Sequence, residues 1–471
     1  MTSGPLRFPL PGTVVRRVVL AALGLVLAAG HGMTPRAAAA ATYPRDEAVL
    51  AAVAKGLTGL VFADAWGFNP VDATESLQAA IDSGVRTVIV PYTGSPWMIR
   101  PVTLRSGLEL IFEAGVLVEA KEGEFHGGGD SLFRATDATD VAIRGYGATL
   151  RMRKRDYQRP PYAKAEWRMG LAFTGCRNVL VEGLRIEATG GDGIYIGSSK
   201  ANRWCENVTV RNCVCHDNHR QGISVISAVH LLIENCVLSG TSGTPPEAGI
   251  DLEPDEADER LVDCVIRNCV VEGNAGNGIL VWLKPLTSAS VPVSIRFENC
   301  HVRMGPPGGP PEAGSDETAP SGWSGFAVGE VADDGPRGVI EFIRCTSENT
   351  GREGARLSNK SALGARVRFV SCRWKNTWRG RHQSYGGPRS PILIRSQTPE
   401  RCKVSGGVEF VGCAVEDDLD AAVVRFEDDD GSGSLRDVTG TIRVHGTSTP
   451  KLRLGSQVEG VTLKLIGDPA P

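Results

Sequence analysis

A six- or seven-residue phrase ending in Asn-Cys recurs through the middle of this chain: Asn207-Val-Thr-Val-Arg-Asn-Cys213, Leu231-Leu-Ile-Glu-Asn-Cys236, Cys264-Val-Ile-Arg-Asn-Cys269 and Ser294-Ile-Arg-Phe-Glu-Asn-Cys300. It continues with the cysteine alone at Phe342-Ile-Arg-Cys345, Phe369-Val-Ser-Cys372 and Phe410-Val-Gly-Cys413. Upstream, Asn178-Val-Leu-Val-Glu-Gly183 and Val141-Ala-Ile-Arg-Gly145 carry glycine in the Asn position. Successive cysteines lie 23, 33, 31, 45, 27 and 41 residues apart, so a unit of somewhat over 20 residues repeats with loops of variable length inserted at a fixed place. A 471-residue chain built this way grows by stacking rather than by adding independent domains.

Each unit holds a second short strand: Gly193-Ile-Tyr-Ile196, Gly222-Ile-Ser-Val225, Gly249-Ile-Asp-Leu252, Gly278-Ile-Leu-Val281 and Gly325-Phe-Ala-Val328. Period-two alternation points Ile194, Ile223, Ile250 and Ile279 inward, and Tyr195, Ser224, Asp251 and Leu280 outward. Short strands at this period without intervening helices predict an all-β parallel β-helix, its coils stacked at about 4.8 Å. An Asn at one turn position could bond the backbone of the next coil, with Cys beside it as a small apolar filler.

These features resemble the right-handed parallel β-helix proteins of the pectate-lyase-like superfamily, over roughly residues 70–445. The resemblance includes an amino-terminal passage, Asp72-Ala-Thr-Glu-Ser-Leu-Gln-Ala-Ala-Ile-Asp-Ser-Gly84, followed by Val88-Ile-Val-Pro91 and Leu108-Glu-Leu-Ile-Phe-Glu-Ala-Gly115. There a short helix, capped by Asp72 or Thr74, carrying Leu77 and Ile81 on one face and stopped at Gly84, would plug the open end of the solenoid.

The first 41 residues place Arg16 and Arg17 before the apolar run Val18–Ala29 and end in small residues, the layout of a secretory signal peptide; an uncleaved anchor is the alternative. The expected organisation is thus signal peptide 1–41, lead-in 42–70, β-helix 71–445 and a carboxyl-terminal end 446–471, in a secreted protein, extracellular or periplasmic and monomeric. Without the four leader arginines the charge is 47 basic against 54 acidic residues, or −7, which argues against a nucleic-acid partner. No later stretch predicts a membrane span.

Export permits disulfides, yet seven of the twelve cysteines occupy one repeat position, where Cβ atoms at the coil spacing sit slightly beyond disulfide range. A buried free-thiol ladder is expected. No Cys or His spacing suits a zinc site.

The densest polar constellation falls on three successive outward-facing coils: Asp192 and Tyr195; His216, His219, Arg220 and Gln221; then Glu247, Asp251, Glu253 and Asp255. Stacking predicts one column of Asp192, Gln221, Ala248 and Asn277 and a second of Tyr195, Ser224, Asp251 and Leu280. Asp251 and Glu253 would lie about 7 Å apart at their Cα atoms. Two carboxylates so placed suit a glycosidase acting on an acidic polysaccharide, with Asp192 as a third carboxyl and His219 and Arg220 orienting substrate. Gln221, Glu247 and Asn277 would add substrate contacts, and Tyr195 or Trp282 would stack on sugars. Alternatively Glu247, Asp251, Glu253 and Asp255 could gather Ca²⁺ for a lyase using Arg220 as base; otherwise no cofactor is expected. A third reading is a non-catalytic glycan-binding or cell-surface protein. The passage Gly191-Asp-Gly-Ile194 resembles the first catalytic-aspartate motif of polygalacturonases, but only Asp192 carries over: Arg220-Gln221 and Glu247-Ala248 stand where that family's Asp-Asp and Gly-His follow. Two loops rich in basic and aromatic residues, Arg151–Arg168 and Trp378–Tyr385, are expected to shape a groove for an acidic polymer.

Overall fold

The computed structural model describes residues 42–304, 323–379, 389–398, 400–419, 421–429, 431–446 and 451–467. The expected leader, the Pro- and Gly-rich stretch from Gly305 to Gly322 and most of the Trp378–Tyr385 loop lie outside them. The chain winds as a three-faced parallel β-helix. One face is a twelve-stranded sheet running from Val102–Thr103 to Leu452–Arg453. The other two join into one sheet of 25 strands, because Val404–Glu416 and Ser434–His445 are each long enough to cover both.

Register follows the repeat. Ile194, Ile223, Ile250 and Ile279 align on successive coils and are fully buried. On the next face Phe297, Phe342, Phe369 and Phe410 align likewise, their rings stacked at 4.8, 5.0 and 5.4 Å. All twelve cysteines are free and buried. Ladder thiols donate to carbonyls of the coil below, as Cys345 Sγ does to Phe297 O at 3.4 Å, and Cys236 contacts both Cys213 and Cys269.

The asparagines act differently from the expectation. Asn212, Asn235, Asn268 and Asn299 have φ between 51° and 55°, the left-handed corner that lets the chain turn from one face to the next, a conformation Asn tolerates better than most residues. Their side chains bond one another rather than the next backbone: Asn235 Nδ2 donates to Asn212 Oδ1 at 3.3 Å and Asn299 Nδ2 to Asn268 Oδ1 at 3.1 Å.

The residue before each asparagine forms a further ladder. Arg144, Glu182, Arg211, Glu234, Arg267 and Glu298 align on six successive coils and alternate in sign. Arg211 Nε donates to Glu182 Oε1 at 3.0 Å and Arg267 Nη2 to Glu234 Oε2 at 2.7 Å.

The expected plug is present as the helix Thr74–Asp82, with Leu77, Ala80 and Ile81 fully buried and Gly84 at φ 81° beyond its end. It touches Thr87–Val90, Trp97–Ile99 and Val102–Thr103, the early strands of the three faces, and so closes the amino-terminal end. Asp72 serves it: Oδ1 accepts from the Thr74 amide at 3.1 Å and hydroxyl at 2.6 Å. A second helix, Glu47–Ala54, capped by Asp46, lies in the segment expected to be a lead-in.

The solenoid is also longer than residues 71–445. Leu60–Phe62 already pairs with Thr87–Val90, and Thr462–Gly467 pairs with Ser434–His445. Backbone pairing needs no particular side chain, so these outer coils lack the repeated phrase.

Candidate active site on the outer face of the twelve-stranded sheet

Both predicted columns exist. Tyr195, Ser224, Asp251 and Leu280 are in register, and Asp192, Gln221, Ala248 and Asn277 each stand three residues upstream of them. The outward direction does not make them exposed, however. Asp192, Gln221, Ser224 and Asp251 are all fully buried. What opens to solvent is a cleft of about 330 Å³ whose walls include Trp167, Met169, Tyr195, Arg220 and Asp255.

Arg220 is the centre of the arrangement. Its Nη2 lies 3.4 Å from Glu253 Oε2 and its Nε 3.9 Å from Glu166 Oε1. Burial works against its charge, but Asp192, Asp251, Glu253 and Glu166 together raise its pKa. Asp192 lies beneath it with neither carboxyl oxygen hydrogen-bonded, and burial pushes this group up to about 7, Glu166 and Glu253 adding to the effect against the opposing pull of Arg220. Asp251 is held well above the usual carboxylate range, first by burial and then by the charge of Glu253, and its Oδ1 has no hydrogen-bond partner. Its Oδ2 accepts from Gln221 Nε2 at 2.9 Å, and Gln221 Oε1 in turn accepts from the Ala248 amide at 2.9 Å. Tyr195 is raised as well, by burial and then by Asp255 and Asp192.

Asp251 and Glu253 lie two residues apart at the end of the strand Ala248–Leu252, and the charge of Glu253 adds to the burial that raises Asp251. The loop that carries Glu253 and Asp255 is fixed by a residue outside the sequence-derived set: buried Glu259 accepts from the amides of Asp255 at 2.6 Å and Glu256 at 2.9 Å.

Other expected residues fall elsewhere. His219 is buried under Gly243, bonded through Nε2 to Thr244 Oγ1 at 2.9 Å, and lowered to about 4 by burial and by Lys154, Lys164 and Arg168. Glu247 turns back on its own loop, accepting from the Gly243 amide at 2.6 Å. That removes it from the acids expected to gather Ca²⁺; among the described residues no group of three or more His, Cys, Asp or Glu side chains is arranged to hold a metal. Asn277 is buried and meets the Gly249 amide through its carbonyl oxygen at 3.2 Å. Trp282 does lie on the outer face, half-buried over Gly329 and packed with Ala248, Leu280 and Ala327.

The basic loop Arg151–Arg168 is largely spent inside the protein. Arg151 pairs with Glu187, Arg153 with Glu119, Glu122 and Asp156, and Lys154 with Asp217. Arg168 is fully buried and donates to the carbonyls of Phe125 and Ala163 at 2.8 and 3.1 Å. The loop's contribution to the cleft is aromatic, through Trp167, which is 52% exposed. In the second loop, Trp378 donates to Ser390 O at 2.8 Å and Arg379 pairs with Asp417 and Asp418.

A family model described as right handed beta helix region matches residues 164–310. The uncharacterized protein YclG of Bacillus subtilis (strain 168) is 30% identical over 126 residues, 24% of this chain and 22% of that protein. The SPbeta prophage-derived protein YorA of the same organism is 25% identical over 222 residues, 40% of this chain and 38% of that one. The chain thus spans well under half the length of either relative. Among solved structures, the A-module of Azotobacter vinelandii mannuronan C-5 epimerase AlgE6 superposes with a TM-score of 0.59 at 15% identity, covering 85% of this chain and 96% of that one. The Yersinia enterocolitica family 28 exopolygalacturonase gives 0.53 at 14% identity, covering 87% and 79%. At these identities the likeness concerns the fold, which is a right-handed parallel β-helix.

Proposed function

We propose that this chain is a secreted enzyme that acts on an acidic polysaccharide laid along the outer face of the twelve-stranded sheet, and that it cleaves by hydrolysis with the carboxyl groups gathered around Arg220. The observation that carries this reading is the cluster itself: Asp192, Asp251, Glu253 and Glu166 about one guanidinium, under a solvent cleft edged by Tyr195 and Trp167. Buried carboxyls with displaced pKa values beside a cleft are what acid–base chemistry requires. Asp251, kept protonated by its burial and by the neighbouring charge of Glu253, is the source of the proton for the leaving oxygen. Asp192, held up to about 7, is poised to take or return a proton near neutral pH. Both solved structures named above are, by their names, polysaccharide-acting enzymes, which supports the substrate class and not the reaction.

Elimination with Arg220 as the base is the weaker reading, because four acids around the guanidinium raise its pKa. Binding without catalysis is favoured by a different observation: Asp192 and Asp251 are fully buried and do not themselves line the cleft. The test is a long incubation with acidic and neutral polysaccharides, with and without Ca²⁺, following reducing ends and the ultraviolet absorbance of unsaturated uronates, beside the Asp251→Asn variant. Reducing ends without absorbance, lost in the variant, support hydrolysis. Both signals rising together would mean elimination, and binding with no product would leave the third reading standing.

A further inference from the structure

The column that contains Asp251 does not end at the acid cluster. It continues in register through Leu280, Ala327, Arg356, Leu393 and Arg425. Arg356 thus lies three coils from Asp251, about 14 Å along the solenoid at the usual strand spacing. Between them the floor is apolar, formed by Leu280, Ala327 and the Trp282 ring over Gly329.

Four arginines meet on this distal stretch, and three are neutralised: Arg352 by Glu353 at 3.4 Å, Arg395 by Asp429 at 2.8 Å, and Arg425 by Glu427 at 2.8 Å. Arg356 differs. Its Nε donates to Ser358 Oγ at 2.8 Å, and no carboxylate among the described residues comes within ion-pair distance of it. Burial is the largest influence on this guanidinium and lowers its pKa, with Arg352 and Arg395 acting in the same direction against Glu353 and Glu427. A largely buried cation whose neighbouring carboxylates all lie beyond ion-pair distance gains from a ligand that supplies a direct one. A guanidinium's planar fork matches a carboxylate through two parallel hydrogen bonds.

We propose that Arg356 is the anion-recognising end of an extended glycan site: a carboxylate borne by a sugar residue docks on Arg356 while a preceding ring lies on Trp282 and the chain reaches the cluster around Arg220. This deepens the proposed function and rests on it for the glycan nature of the ligand. It gives the substrate a polarity, an anionic residue on the Arg356 side with an apolar ring face between it and the reacting bond.

The test is equilibrium binding, which needs no turnover. Full-length protein is titrated with polygalacturonate, with mannuronan, with the same polymers after carboxyl reduction, and with free galacturonate. Arg356→Gln is expected to weaken binding of the acidic polymers at least about tenfold, the scale of a charge-assisted hydrogen bond, and to leave binding of the reduced polymers unchanged. Arg356→Lys should restore part of the loss, which separates recognition from misfolding. Free galacturonate should bind far more weakly than polymer; equal affinity would mean a site for small anions and overturn the glycan assignment. The proposal also falls if Arg356→Gln binds like wild type, if it loses acidic and reduced polymers alike, or if wild type binds no acidic polymer. If no variant yields product yet acidic-polymer binding depends on Arg356, the subsite stands and the proposed reaction fails. Turnover of acidic polymer with a KM indifferent to Arg356→Gln would be the reverse.

Discussion

Gln221 holds Asp251 in place with one end and its own coil's neighbour with the other: Nε2 donates to Asp251 Oδ2 at 2.9 Å while Oε1 accepts from the Ala248 amide at 2.9 Å. All three residues are fully buried, so neither bond has water as a substitute. This amide fixes the orientation of the Asp251 carboxyl. Gln221→Leu, of similar volume, is expected to destabilise the protein by about 1 to 3 kcal/mol by stranding the Ala248 amide and Asp251 Oδ2. In the proposed reaction it should lower kcat more than it raises KM. Thermal unfolding together with steady-state kinetics checks both; a change in KM alone would mean that Gln221 contacts substrate instead.

Asp192 predicts a pH dependence of stability. Its carboxyl rises from 3.8 to about 7 on folding. Below pH 4 it is protonated in both folded and unfolded chains and has no linkage effect. Between about pH 4 and 7 the unfolded chain gives up the proton first, so the folded state loses stability as pH rises, by about 4 kcal/mol at ~1.4 kcal/mol per unit. Asp192→Asn removes that slope. The melting temperature of the variant minus that of wild type is expected to grow between pH 4 and pH 8; a difference that is flat with pH would show that Asp192 titrates in its ordinary range.

The charge ladder on the neighbouring face makes a separate prediction. Glu234 sits in register between Arg211 and Arg267, and each contact, being partly exposed, is worth less than about 1 kcal/mol. Glu234→Lys replaces two attractions by two repulsions between adjacent coils and should destabilise by about 1 to 2 kcal/mol at low salt. Denaturant melts in 20 mM and 500 mM salt test this, since screening should shrink the effect; an equal loss at both salts would point to packing.

How much of this was legible beforehand depended on whether a feature is local or needs the stack. The coil repeat, the inward isoleucines, the cysteine ladder and the plugging helix follow from alternation and spacing, because identical positions on successive coils need the same residue type. The alternation of Arg211, Glu234, Arg267 and Glu298 is also in the sequence, but it acquires meaning only when register puts successive coils side by side. Burial of the acids is not legible at all: Asp251 points outward by alternation, yet it is fully buried, as is Asp192. For the same reason His219 and Glu247 read as site residues from their neighbours in sequence, while their side chains turn to Thr244 and Gly243. Arg356 has no local motif, and only the column linking it to Asp251 brings it into view.

The cysteine ladder predicts a chemical count. All twelve cysteines of the chain are free thiols. Unfolding in denaturant without reductant and titrating with a thiol reagent should yield twelve reactive groups, the same number as after reduction; ten or fewer would mean that neighbouring coils are cross-linked.

Gly329 links the fold to the glycan face. A Cβ there would come 2.6 Å from Cζ3 of the Trp282 ring and 3.1 Å from Ser358 O, so glycine is what lets the indole lie down on the next coil. Gly329→Ala must tilt the ring, since the backbone behind it is paired on both sides. The isoleucine core lies on the opposite surface of the sheet, so the fold should survive with a loss of about 1 to 2 kcal/mol. If Trp282 is a stacking platform, polymer affinity should fall in Gly329→Ala almost as far as in Trp282→Ala, although no ligand-facing atom has been removed. Binding isotherms of the two variants decide the matter. Loss in Trp282→Ala with none in Gly329→Ala would mean that the ring contributes area without orientation, and loss in neither would take Trp282 out of the site.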